Sequence, residues 1–201
     1  MLNKINFKSL YSSGESDSPI SFFTDALSNS ISFDLGLGFF SSASFNVLSI
    51  GFAKFISNGG KMRLYINQYL SEEDYEIFIS HPDIVENKVI DSFTSMLNVL
   101  TKRDKQFFNC LSYLIYTNRI EVKIVIPNSG GIAHQKFGIF TDAAKNKVSF
   151  IGSLNLTASA LLSKNIESIS CNSSWKGAAE TINDYQQLFD KYFSGDKEGI
   201  T

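Results

Sequence analysis

His134-Gln135-Lys136 sets an imidazole and an ammonium two residues apart. On an extended strand that spacing turns both side chains to one face, so a single surface can offer a nitrogen nucleophile beside a fixed positive charge. Gly152-Ser153-Leu154-Asn155-Leu156-Thr157 comes one strand later, and Asn165-Ile166-Glu167 after another short segment. Together the three pieces supply an imidazole, an ammonium, a carboxamide, hydroxyls and a carboxylate, with no second histidine among them. That inventory suits phosphoryl transfer through a covalent phosphohistidine. The other histidine, His81 in Ser80-His81-Pro82-Asp83, has Asp83 where a lysine would be needed. It reads as a loop or cap residue.

The elements that must carry these residues are legible from hydrophobic periodicity. Residues 133–140 and 147–151 read as neighbouring strands joined by the polar turn Thr141-Asp142-Ala143-Ala144-Lys145-Asn146. Ile166 to Cys171 is a further strand, and Trp175 to Phe193 a closing helix. Gly152 to Thr157 turns polar where a strand gives way to a helix or loop, the usual place for a site in an open α/β sheet. Upstream, residues 31–40 alternate with strand period, and Met62 to Asn67 and Ile120 to Ile126 are strands closed by turn or proline signals. Helical spacing appears after Ser18-Pro19, over Ser44 to Ser57, over Asp83 to Leu100 and over Asp104 to Tyr116, with Ser18 a candidate capping hydroxyl. The expected fold is an α/β domain with a mixed, mostly parallel sheet flanked by helices on both faces.

The 201-residue length suits one domain spanning 1–201, and 43% hydrophobic content is that of a folding chain. Eighteen Lys and Arg against 20 Asp and Glu give a formal charge of −2, so no global positive field announces a nucleic-acid partner. Local runs remain: Lys102, Arg103 and Lys105, with Lys145, Lys147 and Lys164 around the motif segment. Two cysteines, Cys110 and Cys171, make neither a disulfide framework nor a zinc set and read as inert buried thiols. With no secretion signal and no long apolar run, a cytoplasmic location and no membrane association are expected.

In these motifs the chain resembles the phospholipase D superfamily, whose pattern is His-x-Lys followed by Gly-Ser-x-Asn. It resembles especially the nuclease branch, where the pattern continues as Gly-Ser-x-Asn-x-Thr and then Asn-x-Glu. The matching pieces are His134-Gln135-Lys136, Gly152 to Thr157, and Asn165-Ile166-Glu167. One departure stands out. The fuller family pattern has an Asp five residues after the Lys, where this chain has Thr141, with Asp142 one residue late. The acid is therefore assigned to Glu167.

Carried over, the resemblance implies that His134 is the nucleophile, Lys136 and Asn155 hold the phosphate oxygens, and Glu167 orients the imidazole. Ser153 would support the anion pocket, with Thr157 and Asn165 as supporting residues. The physics agrees, because the attacking nitrogen must be neutral, and a carboxylate on the opposite ring nitrogen fixes its tautomer and favours the later imidazolium. In the resembling family two His-Lys motifs face each other, so a chain with one motif implies a homodimer sharing a composite site. The reaction expected is metal-independent phosphodiester hydrolysis of DNA with no cofactor and no metal, as the cleavage domain of a restriction or defence endonuclease. The chain is then expected to be the N-terminal part of a longer protein, fused to or associated with a DNA-recognition domain or helicase. Two other readings remain open on the sequence: a phospholipid phosphodiesterase, and a noncatalytic nucleic-acid-binding dimerisation module.

Overall fold

Strand alternation in the sequence becomes a seven-stranded mixed sheet in the computed structural model, which describes residues 1–38, 44, 47–67, 114, 117–128, 134–156, 158–162 and 164–196. The helices expected over 83–100 and 104–116 lie outside the described residues apart from Leu114, as do His81, Cys110, Thr157 and the basic run at 102–105. The strands are β1 (Leu10–Ser12), β2 (Ser32–Leu37), β3 (Lys61–Ile66), β4 (Ile120–Ile124), β5 (Lys136–Thr141), β6 (Lys147–Gly152) and β7 (Ser168–Ser173). The helices are α1 (Pro19–Ser28), α2 (Ser49–Ser57), α3 (Ala158–Leu161) and α4 (Ala179–Ser194). In space the strands run β1-β7-β6-β5-β2-β3-β4.

The α/β class and mixed sheet agree with expectation, but the pairing is not mostly parallel. Among the described residues only β2–β3 and β3–β4 pair parallel, whereas β1–β7, β7–β6, β6–β5 and β5–β2 are antiparallel. For β5–β6 the physical reason is connection length, since a tight turn joins them and only an antiparallel pair permits that. The other three antiparallel pairs join strands separated by longer stretches of chain. Asp142 builds that turn. Its buried carboxylate accepts hydrogen bonds from the backbone N–H of Leu2 (2.8 Å), Ala144 (2.9 Å) and Asn146 (2.9 Å) and from Asn146 Nδ2 (2.9 Å).

Helices cover both faces. On one face Phe33, Leu35 and Leu37 of β2 and Met62 and Leu64 of β3 meet Phe22, Phe23, Ala26 and Leu27 of α1 and Phe52 and Phe55 of α2. Phe33 stacks on its cross-strand partner Phe140 at 3.9 Å, and Phe23 meets Phe150 edge-on at 4.9 Å. Burying each such ring contributes roughly 1.5–3 kcal/mol. On the opposite face Tyr65 and Phe137 pack against Phe189 and Phe193 of α4. There Arg63 grips its cross-strand partner Asp34 through two bonds of 2.8 and 2.6 Å and reaches Asp190 of α4 at 2.9 Å, its guanidinium lying over the Phe189 ring. This side is thus docked by a fork of charge set among rings.

Two local expectations change. Ser18 precedes α1 without a side-chain cap, and its carbonyl instead accepts from Ser21 Oγ at 2.7 Å. The closing helix is split: a 3-10 turn over Ser174–Lys176 ends at Gly177, whose φ of 88° breaks the helix before α4 begins. Cys171 is buried on β7, and burial pushes its thiol well above the ordinary range, as an inert thiol requires.

Candidate active site

One edge of the sheet gathers the motif residues. The antiparallel pairing brings the start of β5, the end of β6 and the start of β7 to the same edge as the carboxyl ends of β2 and β3. Lys136 opens β5 opposite Leu37, the last residue of β2. Its side chain lies on the face of the α1 and α2 core, because Phe140, four residues on, points there. The ammonium is buried, with 5% of the residue exposed, and among the described residues its hydrogen bond goes to the His134 carbonyl at 3.1 Å. Burial lowers its pKa from the ordinary lysine value of 10.5, and the nearby Glu167 charge pulls the other way.

His134 stands just outside the paired strand and is exposed. Its carbonyl is tied to Lys136, while its imidazole makes no hydrogen bond among the described residues. The ring is therefore open to an incoming group.

The loop after β6 shows why the Gly-Ser-x-Asn-x run has this form. Leu154 and Leu156 are fully buried in the core, and these two anchors leave Ser153 and Asn155 as the alternate, less buried residues. Gly152 is demanded by space: a Cβ there would lie 2.2 Å from the Ser168 carbonyl oxygen and 2.9 Å from Ile169 Cα. β6 and β7 approach closely at that point, and Ser153 N–H donates to the same Ser168 carbonyl at 3.2 Å. The Ser153 hydroxyl in turn donates to the Glu167 carboxylate in a short hydrogen bond and accepts from Ser168 N–H at 3.3 Å.

Glu167 is held from the other side by the turn after β1. Ser13 N–H donates to the Glu167 carbonyl at 2.9 Å, and Glu167 N–H donates to Ser13 Oγ at 3.2 Å. Ser13 carried no signal in the sequence, since it reaches the site only because β1 pairs with β7. The expected contact between Glu167 and the imidazole is not formed. The carboxylate engages Ser153 instead, and its electrostatic reach is to Lys136 without ion-pair contact.

The remaining motif residues divide. Asn165 is exposed in the bend before β7, and Thr157 lies outside the described residues. Asp142 is at the far end of β5 from Lys136, roughly 17–20 Å along the strand. That separation places Asp142 away from the motif residues. Among the described residues no group of three His, Cys, Asp or Glu side chains converges to hold a metal, and no helix is long and apolar enough to cross a membrane.

The assembled edge offers an open imidazole, a buried ammonium, an amide-bearing loop and a hydroxyl–carboxylate pair. A family model described as cardiolipin synthase, PLD-like domain, matches residues 92–193, half of the chain and all three motif pieces. The chain belongs to the phospholipase-D-like family. With that, phosphodiester chemistry is its class of reaction. Solved structures agree on the fold. NucT from Helicobacter pylori shares 15% identity at a TM-score of 0.52, covering 87% of each chain. Phosphatidylserine synthase from Haemophilus influenzae Rd KW20 gives 8% and 0.55, covering 94% of this chain and 40% of that one. Polyphosphate kinase from Porphyromonas gingivalis gives 10% and 0.54, covering 98% and 27%. Comparison with curated protein sequences gives no match. The phospholipase-D-like scaffold is thus shared by proteins whose names denote different substrates, so substrate has to be argued from the site.

Proposed function

We propose that this phospholipase-D-like chain hydrolyses phosphodiester bonds in DNA through a phosphohistidine at His134, two copies sharing one composite site. The observation that carries this reading is the convergence of the exposed His134 ring with the buried Lys136 ammonium, Asn155 and the Ser153–Glu167 pair at one sheet edge. A neutral imidazole nitrogen attacks phosphorus, forming a P–N bond as the P–O bond to the leaving strand breaks. The leaving oxygen takes a proton from the partner subunit's His134 in its imidazolium form. Water then attacks the phosphohistidine, giving its proton back to that imidazole, and the P–N bond breaks.

Lys136 is suited to charge developing on the nonbridging oxygens, because an ammonium with little access to water interacts strongly with an anion. Asn155 adds a neutral donor. Glu167, held by Ser153, favours the charged form of Lys136 against the cost of burial. Two such half-sites facing each other form a local basic cleft on a chain of net charge −2. The biological setting we assign is the cleavage domain of a restriction or defence endonuclease acting with a DNA-recognition partner.

The test is cleavage of labelled DNA in chelator by the wild type and by His134→Ala, with mass detection of a nucleotide adduct on the His134 peptide. RNA and phospholipid vesicles run alongside. Cleavage in chelator, an adduct at His134 and loss of both in the variant are expected. Equal cleavage by His134→Ala, or rescue specifically by magnesium, overturns the mechanism, while lipid turnover with inert nucleic acids overturns the substrate.

A further inference from the structure

His134 must be held within a fraction of an ångström to attack in line, yet it sits outside the paired register of β5, which begins at Lys136. Its own side chain is tied to nothing among the described residues. The residue between the two motif members is different. Gln135 faces the opposite side of the sheet, where Tyr65 Oη donates to its Oε1 at 3.1 Å and its Nε2 donates to Tyr192 Oη at 3.2 Å. A single amide therefore spans two hydroxyls, one on β3 and one on α4.

Both tyrosines are fixed. Tyr65 is fully buried, and its ring packs on Tyr192 at 5.3 Å and on Phe189 at 5.3 Å. Space for that ring comes from Gly36, directly opposite on β2, where a Cβ would lie 2.4 Å from Tyr65 Cζ and Oη. Tyr65 is among the largest fully buried side chains, and a buried phenol needs a hydrogen-bond partner; Gln135 is that partner. The amide orientation is set by the roles it fills, carbonyl toward one hydroxyl and NH2 toward the other.

We propose that Gln135 is a positioning residue: the Tyr65–Gln135–Tyr192 clamp fixes the backbone at the start of β5 and thereby sets the place of the His134 imidazole and Lys136 ammonium on the reacting face. The inference rests on His134 being the nucleophile. The clamp acts from the far face of the sheet, beneath α4, and touches no substrate. It also links the closing helix to the reacting edge, since Tyr192 moves with α4.

The experiment compares the full chain with His134→Ala, Gln135→Met, Tyr192→Phe and the Gln135→Met/Tyr192→Phe double variant, on labelled DNA and on a small chromogenic phosphodiester. Gln135→Met keeps the length and removes both hydrogen bonds. Tyr192→Phe removes one oxygen and keeps the ring in its stack, so folding is preserved in at least one arm. Rates are expressed per active site titrated by adduct formation at His134, which separates positioning from loss of folded protein. Each single variant should lower kcat about tenfold, short of the hundredfold that a full ångström of misplacement costs. KM should stay within about twofold, since ground-state binding is untouched. The double variant should fall no further than the weaker single one, because both changes cut the same clamp. Normal kcat per titrated site in Gln135→Met and Tyr192→Phe overturns the proposal, as do losses that multiply in the double variant. Full activity in His134→Ala overturns the nucleophile assignment instead, so the two failures are distinguishable.

Discussion

Replacing Gly152 by alanine tests how closely the site depends on the contact between β6 and β7. The added Cβ would stand 2.2 Å from the Ser168 carbonyl oxygen, whereas a carbon and a carbonyl oxygen rest no closer than about 3.3 Å. The strands must part by about 1 Å, and the atom that has to yield is backbone. Overpacking of this kind costs about 1–3 kcal/mol. For a chain of this size about 2 kcal/mol corresponds to a fall in Tm of about 4–8 °C. The shift falls directly on the site, because Ser153 N–H and Oγ both bond to Ser168 and the hydroxyl also holds Glu167. A displacement of about 1 Å near reacting groups costs on the order of 100-fold in rate. The assay pairs differential scanning calorimetry with kcat per titrated active site. An alanine variant with unchanged Tm and unchanged kcat refutes the reasoning at its root, and a normal kcat with the expected fall in Tm refutes only the link from strand separation to the site.

Two further outcomes concern pH. The Asp142 carboxylate is pushed up by burial but pulled down further by hydrogen bonds from Asn146, Leu2 and Ala144, leaving its pKa below the ordinary 3.8. A depressed folded pKa contributes stability above the unfolded value that is lost as pH falls through the folded one, so the stability gap between wild type and Asp142→Asn should narrow below about pH 4 in urea titrations; kcat should be unchanged, as Asp142 is at the other end of β5. Lys136 is lowered by burial and partly restored by Glu167, so activity that needs its ammonium should fail on the alkaline side below 10.5. Glu167→Gln should move that alkaline limb to still lower pH, and an upward movement would contradict the assignment.

The candidate site was legible locally. Alternation alone placed Lys136 on a strand and the run from Gly152 to Asn155 at the next strand's end, whereas His134, expected on the same strand as Lys136, lies just before its paired register. The turn at Asp142 and the buried character of Cys171 were readable because neighbouring residues settle them. By contrast, the sheet's pairing depends on which strands meet. One antiparallel pair, β5–β6, follows from a tight turn, but β1–β7, β6–β7 and β2–β5 join strands separated by longer stretches of chain, and the expectation of mostly parallel strands failed there.

What sequence determined by itself, then, was the inventory of candidate reacting groups and the strand ends that carry them. Tertiary structure decided that Lys136 is buried, that Glu167 answers to Ser153 and Ser13 and not to the imidazole, and that Gln135 is clamped between Tyr65 and Tyr192. Those partners are 14 to 154 residues apart in the chain, and no local periodicity encodes them. They exist only once β1, β3, β7 and α4 have packed against the same small region of β5 and β6.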